Sequence, residues 1–310
     1  MDNLTHSLVG AVLGQAGLKR RTGLAMPALI IGANLPDVDV GCFLWLEGTG
    51  HLAFRRGITH GPPALVLLPL VLAGLLWGFD RWQARRGTRP AGRLPVRFGW
   101  LYALAFIGCL THPALDWLNV YGIRLLEPFS SQWFYGDMLF IIDVWLWAIL
   151  IGSVWWSRRR EKAGAEWMRP ARVGLAAMLA YIGVNGAITA TVERSLLAES
   201  GRGDVMAIAA PVPFAFWQRE KLVGNPSHGR WYVETPGKEP WLDGYDPAGC
   251  DLAEARKTDP QIDAFLFWSR APYVHQREGG ALWIGDARFT DARVKDRFAV
   301  ALPEGCRIID

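Results

Sequence analysis

Long apolar stretches separated by short polar segments fill the chain up to residue 194, and the pattern then stops. The stretches are 4–18, 24–46 (interrupted), 62–79, 98–117, 139–156 and 173–192. A bilayer core of about 30 Å needs about 20 helical residues. The third to sixth stretches approach that length. The first, 4–18, spans only about 22 Å at the helical rise per residue. The second meets Pro36, which biases residue 35 away from helix. These two either tilt across the bilayer or form a re-entrant pair buried against the other helices. The predicted fold is therefore an α-helical integral membrane domain over 1–194, with about six apolar helices or four full spans plus a re-entrant pair. A soluble domain over 195–310 follows. Its short aromatic and β-branched runs, 214–217, 231–233 and 281–284, with turn residues such as Gly279-Gly280, read as small α+β or mostly β.

Charge sharpens this division. Residues 1–194 hold 19 Lys+Arg against 12 Asp+Glu, and residues 195–310 hold 14 against 17. If every stretch crosses, 15 of the 19 basic residues (Lys19, Arg20, Arg21, six arginines in 81–97 and six basic residues in 158–172) fall on one side. Arg55, Arg56, Arg124 and Arg194 fall on the other. The basic side is expected to be cytoplasmic. That places the N-terminus, the 40–61 and 118–138 loops and the 195–310 domain outside the cytoplasm of a bacterial inner membrane. No basic n-region or cleavage site marks a signal peptide. The arginines lie between apolar runs, which argues against nucleic acid as a partner. Cys42 and Cys109 sit in apolar segments and read as packing residues. Cys250 and Cys306 can pair if their domain lies outside the cytoplasm.

Three of the six histidines share a distinctive neighbour. Thr5-His6 opens the first stretch, Thr59-His60 precedes the third, and Thr111-His112 lies near the end of the fourth. Asp37 and Asp39 close the second stretch, and Asp116 follows His112 by four residues, one helical turn. Under the topology above, His6, Asp37, Asp39, His60, His112 and Asp116 all land at the outer face. Three imidazoles and three carboxylates suit one or two divalent ions, Zn²⁺ foremost with Mn²⁺ or Fe²⁺ as alternatives. A lone histidine at a membrane end more often makes an ordinary hydrogen bond, and Asp37 and Asp39 can simply cap a helix. Six such groups at one face argue for a shared cation. Asp143 reads equally as support for a ligand or as a structural hydrogen-bond acceptor. Arg56 and Arg124 are candidates to meet an anionic substrate, against pairing with lipid headgroups, Glu47 or Glu127. Asn119, one turn past Asp116, is a candidate to hydrogen-bond substrate.

These residues carry a resemblance. Thr5-His6-Ser7-Leu8-Val9-Gly10, Ala33-Asn34-Leu35-Pro36-Asp37-Val38-Asp39, Arg55-Arg56-Gly57-Ile58-Thr59-His60 and the run from Thr111-His112 to Asp116-Trp117-Leu118-Asn119-Val120-Tyr121-Gly122 are similar to the bacterial membrane-bound metal-dependent hydrolases of the YdjM/YbcI type. Pro128-Phe129-Ser130 and the run on to Asp137 and Asp143 resemble them too. The likeness covers about residues 1–155. It implies an inner-membrane hydrolase. One relative is described as LexA-binding, a role that does not carry over because the cytoplasmic surface of this chain is mainly basic loops. More distantly, the order of His and Asp is similar to zinc-dependent phospholipase C and P1-type nucleases, which implies phosphoester hydrolysis.

The expected function is hydrolysis at the outer face by metal-activated water. The six ligands hold the ion, Arg56 steadies negative charge, Asn119 hydrogen-bonds substrate, and the substrate is a phosphoester or a lipid-linked anion drawn from the bilayer. The rival reading is a non-catalytic metal-handling or transport component. Transport predicts ionisable residues through the midplane, and none occurs in 64–76 or 101–110.

Overall fold

A computed structural model describes residues 1–201, 203–244, 250–277, 280–291, 293–303 and 306 of the chain. In chain order the helices are α1 (Asn3–Gln15), α2 (Ala25–Gly32), α3 (Gly50–Phe54), α4 (Pro62–Arg85), α5 (Phe98–Trp117), α6 (Val144–Lys162), α7 (Met168–Ser200), α8 (Leu252–Thr258) and α9 (Pro260–Trp268). The strands are β1 (Met206–Pro211), β2 (Arg219–Asn225), β3 (Arg230–Glu234), β4 (Trp241–Asp243), β5 (Pro272–Gln276), β6 (Leu282–Asp286) and β7 (Ala299–Ala301). The chain divides into two compact units. One holds Met1–Asp39 and Arg56–Val184, and the other holds Val40–Arg55 and Asn185–Asp310.

Among the described residues three helices, α4, α5 and α7, are long and apolar enough to cross a membrane. A fourth span is possible only if α2 and the 3₁₀ segment Leu35–Leu44, bent by 50° at the break, count together. About six spanning helices are therefore not confirmed. The reasons are local: α1 has only 13 residues, and α6 ends in the run Arg158-Arg159-Arg160-Glu161-Lys162. The bend falls between Gly32 and Leu35, just ahead of Pro36, the residue from which the sequence predicts an interruption.

In the first unit, α5 buries Leu101, Leu104, Ala105, Gly108, His112, Leu115 and Asp116. Steps of three and four residues put these on one face. That face meets α2, whose Ala25, Ala28, Leu29 and Gly32 are buried. The crossing is close because glycines stand at it. A Cβ on Gly108 would lie 2.5 Å from the Leu29 carbonyl oxygen, and one on Gly32 would lie 2.6 Å from that of Ala105. A second core joins α1, α5, α6 and α7 through Val9, Val12, Leu115, Leu146, Leu150 and Met178. The opposite face of α4 exposes Leu67, Val71 and Leu75, as a lipid-facing helix does.

In the second unit, β1 to β4 form an antiparallel meander and β5 to β7 a three-stranded antiparallel sheet. Run 231–233 is strand as expected, run 281–284 is strand from Leu282 on, and 214–217 is the connection between β1 and β2. Of the glycine pair, Gly280 adopts φ 88° beside β6, and Gly279 lies outside the described residues. Trp231, Trp268 and Phe265 fill the core of this unit. Thr49, ahead of α3, binds α9 through Thr49 Oγ1 to the Gln261 carbonyl oxygen at 2.7 Å. The loop between the second and third apolar stretches thus packs with the C-terminal fold. Cys250 and Cys306 are disulfide-bonded.

A buried ion pair fixes the end of β6. Arg288 Nε and Nη2 reach the Asp286 carboxylate at 2.8 and 2.7 Å, and Ser269 Oγ donates to it at 2.6 Å. Burial alone would raise the Asp286 pKa, but the Arg288 guanidinium and these hydrogen bonds outweigh it and hold the pKa below its ordinary value. A group of this kind stabilises the fold above its unfolded pKa of about 3.9, and the gain fades as the pH falls toward the folded value. Asp286→Asn strands the guanidinium and is expected to cost about 3–5 kcal/mol near neutral pH. Thermal unfolding of the full chain checks this. The midpoint should drop at pH 7, and the gap from the native chain should narrow below about pH 4.

Candidate metal centre

Four elements bring the candidate donors together. The N-terminal turn of α1 carries His6, the 3₁₀ segment Leu35–Leu44 carries Asp37 and Asp39, the 3₁₀ turn Ile58–His60 carries His60, and the last turns of α5 carry His112 and Asp116. His112 and Asp116 are buried because they continue the α5 ridge that packs on α2. Ligand atoms of Asp37, His60, His112 and Asp116 all lie within 4.8 Å of one another. The His6 ring stacks on that of His112 with centroids 3.8 Å apart, and the His60 ring lies 5.1 Å from it. His6 Nε2 is 3.3 Å from Asp116 Oδ1. Asp39 reaches His60 Nδ1 at 3.7 Å. All six residues named from the sequence are therefore in one cluster, four as a mutual donor set and two against its edge.

The hydrogen bonds suggest why the set divides. Asp39 Oδ2 accepts from the Arg56 backbone N–H at 2.7 Å and from Thr59 Oγ1 at 3.3 Å. It thereby holds the turn that carries His60. Arg56 itself sits at φ 54°, a left-handed conformation costly for a side chain with a Cβ. Its carbonyl accepts from Arg124 N at 2.9 Å, so both flanks of that residue are tied. His112 Nδ1 lies 2.7 Å from the Ala33 carbonyl oxygen and must donate to it. That fixes the tautomer and leaves Nε2 as an acceptor facing the cluster. His60 Nδ1 is met by Thr59 Oγ1 at 2.9 Å.

A cation fits the atoms left over. Nε2 of His6, His60 and His112 are buried with no hydrogen-bond partner among the described residues, and buried Asp116 Oδ2 is ion-paired with Arg56 Nε. Buried polar atoms of this kind are rare in folded proteins, and metal coordination is one way to satisfy them. Burial drives the His60 pKa well below its ordinary value, and nearby His112 and Arg56 add to the effect while Asp116 opposes it. The ring is neutral, the form in which imidazole ligates. His6, His60, His112 and Asp116 are all at most 1% exposed, while the Asp37 side chain is 13% exposed and marks the open side.

Arg56 is bound into the cluster. Nε reaches Asp116 Oδ2 at 2.9 Å as an ion pair, and Nη1 donates to Asn119 Oδ1 at 2.9 Å and to the Gly122 carbonyl oxygen at 3.2 Å. The guanidinium lies over the Tyr121 ring at 4.6 Å. Among the described residues its Nη2 makes no hydrogen bond. Asn119 Nδ2 is buried and also unpartnered. Arg124 follows the bland reading: it pairs with Glu127 at 2.8 Å and lies over Trp133. Asp143 is likewise structural, capping α6 through the N–H groups of Trp145 and Leu146 and accepting from Tyr181 Oη at 3.0 Å. The pattern of histidines and aspartates gave no sign of the Ala33 carbonyl or of the Met1 amino group, which contacts Asp116 Oδ1. Both are backbone groups with no residue-type signature. Tyr121, two residues after Asn119, was visible only as part of the motif.

Inductively coupled plasma analysis of the purified chain should find divalent metal that is lost, by about tenfold or more in affinity, in His112→Ala and in Asp116→Ala. Unchanged metal content in both variants would remove the centre.

The YdjM inner membrane protein family matches residues 1–192. The inner membrane protein YbcI of Escherichia coli is 27% identical over an alignment of 183 residues, covering 50% of this chain and 98% of that protein. No solved structure matches.

Proposed function

The chain belongs to the YdjM inner membrane protein family, and from that membership and the donor set we propose that it is a membrane-bound metal-dependent hydrolase acting on a phosphoester or lipid-linked anion. The observation that carries the reading is the group of Asp37, His60, His112 and Asp116, whose ligand atoms lie within 4.8 Å of one another and whose imidazole Nε2 atoms have no hydrogen-bond partner among the described residues. Asp37, His60, His112 and Asp116 would hold the ion, with His6 and Asp39 at its edge available to a second. The preferred ion is Zn²⁺, with Mn²⁺ or Fe²⁺ as alternatives, because a mixed imidazole and carboxylate set suits borderline cations. When bound, the ion supplies Lewis acidity and acidifies water near neutral pH.

The chain's own residues supply the rest. Ala33 holds the His112 tautomer. Arg56 fixes the orientation of Asp116 through Nε and leaves Nη2 for the oxygens of an anionic substrate. Asn119 Nδ2 offers a second donor on the same side as Arg56. The burial of the three histidines excludes bulk water, which strengthens these electrostatic contacts. Substrate approaches over Asp37.

Purified protein loaded in turn with Zn²⁺, Mn²⁺ and Fe²⁺ should hydrolyse members of a panel of soluble phosphomonoesters, phosphodiesters and detergent-dispersed phospholipids. Arg56→Ala should lower kcat by about 10²–10³-fold with metal content retained. Metal binding without turnover on any substrate would abandon hydrolysis in favour of metal handling.

We also infer that the 195–310 domain lies outside the cytoplasm. The basic loops support this through the positive-inside rule when α6 crosses along with α4, α5 and α7, and the Cys250–Cys306 bond supports it because disulfides persist in oxidising compartments. Alkaline phosphatase fused after Asp310 should be active in cells. An active cytoplasmic reporter there, with an inactive phosphatase, would reverse the orientation.

A further inference from the structure

A cavity of about 580 Å³ lies between α6 and α7, on the segments that lead to the basic end of the helix pair. Its walls include Gly152 and Trp156 from α6 and Val173 and Ala177 from α7. Two guanidiniums, Arg160 and Arg169, line the same cavity. Near the cavity the helices approach closely where Gly174 packs on Ser153, so closely that a Cβ there would overlap the serine side chain. Gly152, next to that contact, has nothing within 4 Å of where its Cβ would be. The result is an apolar slot with cationic groups in its lining. Trp156 is 56% exposed and Val173 60% exposed, so the slot opens toward the lipid side of the pair.

The charges near the slot are not balanced internally. Glu161 pairs with Lys19. The Glu166 carboxylate also lines the cavity, but it accepts from the N–H groups of Met168 and Arg169 at 3.1 and 3.0 Å and so caps α7. Arg160 Nε donates to the Glu166 carbonyl oxygen at 2.5 Å, which orients the guanidinium without neutralising it. The Arg169 side chain forms no ion pair among the described residues. Arg158, Arg159, Lys162 and Arg172 add further positive charge to the same end of the helices.

We propose that this slot is a binding site for one anionic phospholipid, with an acyl chain between Gly152 and Val173 and the headgroup phosphate on Arg160 and Arg169. An apolar slot ending in two guanidiniums matches an amphiphile that is anionic at one end. A free phosphate would leave the apolar walls unfilled, and a zwitterionic lipid would bring its own cation beside the guanidiniums along with its phosphate. The site shares no residue with the metal centre, and the proposal does not depend on the hydrolase reading.

The test uses the full chain in neutral detergent, with native mass spectrometry and thermal unfolding in dioleoyl phosphatidylglycerol or dioleoyl phosphatidylcholine. Phosphatidylglycerol should be retained and should raise Tm, and phosphatidylcholine should do so much less. Arg160→Gln with Arg169→Gln should weaken phosphatidylglycerol binding by roughly tenfold for each guanidinium–phosphate hydrogen bond removed. Gly152→Leu, which fills the slot without touching a charge, should weaken it too. The control Arg85→Gln with Arg86→Gln removes equal charge from the end of α4 and should keep the lipid. Metal content, unchanged in all of these, reports that the helices remain assembled. Equal binding of both lipids, equal weakening in the control, the same Tm rise with inorganic phosphate alone, or a dimer whose interface buries Trp156 would each overturn the site.

Discussion

The first unit is organised around a buried carboxylate that cannot stand alone. Asp116 is 1% exposed. An unpaired carboxylate at that depth is costly enough to unfold the segment that carries it or to take up a proton. Here it is surrounded: Arg56 on one oxygen, His6 and the Met1 amino group on the other, and His60 and His112 within 4 Å. Every element of the site is placed by what it contributes to that one group. The arrangement is rigid because its supports are themselves held. Asp39 ties the turn before His60, Ala33 ties His112, and the glycines of α2 and α5 bring Ala33 close enough to do so.

The same ridge on α5 serves packing and chemistry. Leu101, Leu104, Ala105 and Gly108 bury apolar surface against α2, and the next turns of that ridge present His112 and Asp116. The donors need no separate device to be buried, because the helix–helix interface that stabilises the bundle runs on into the site. It also explains the close crossing at Gly32 and Gly108. A larger residue at either would separate the helices and withdraw the Ala33 carbonyl from His112 before it disturbed any ligand directly.

Much of this was legible in the sequence, for reasons that can be named. The repeated Thr-His pairs, the Asp-x-Asp after Pro36 and the one-turn spacing of His112 and Asp116 are local signals, and a charge count placed them on one face. Their convergence follows. What the sequence could not rank was which donors face the centre. Asp39 and Asp37 differ by two residues, yet Asp39 is bound to the Arg56 amide and Asp37 is a member of the donor set. Arg56 and Arg124 looked equivalent as spare outer-face cations, but Glu127 is three residues from Arg124 and pairs with it. About six spanning helices are not confirmed: the shortness of α1 was already visible in the sequence, whereas the five charged residues in the last turns of α6 were not weighed against its apolar length. The limits of the C-terminal unit were hidden for a different reason. Residues 40–55 pack with Gln261 through contacts more than two hundred residues apart in sequence, which no periodicity reports.

Charge accounting bears on what the centre can hold. Asp37, Asp39 and Asp116 bring three negative charges, Arg56 brings one positive charge, and the histidines contribute none when neutral. Even with the Met1 ammonium counted, a negative excess remains in a region that is almost wholly buried. A single divalent ion would offset that excess, bringing the group close to neutrality. A second ion would raise the charge further and tighten the hold on an anionic product, unless another anion came with it. The donor geometry points the same way, because only four of the six groups lie mutually close and the other two are engaged with Asp116 or with the backbone of Arg56. On the proposed reading, Asp37, His60, His112 and Asp116 would take a first ion, and His6 and Asp39 lie at the edge of that set.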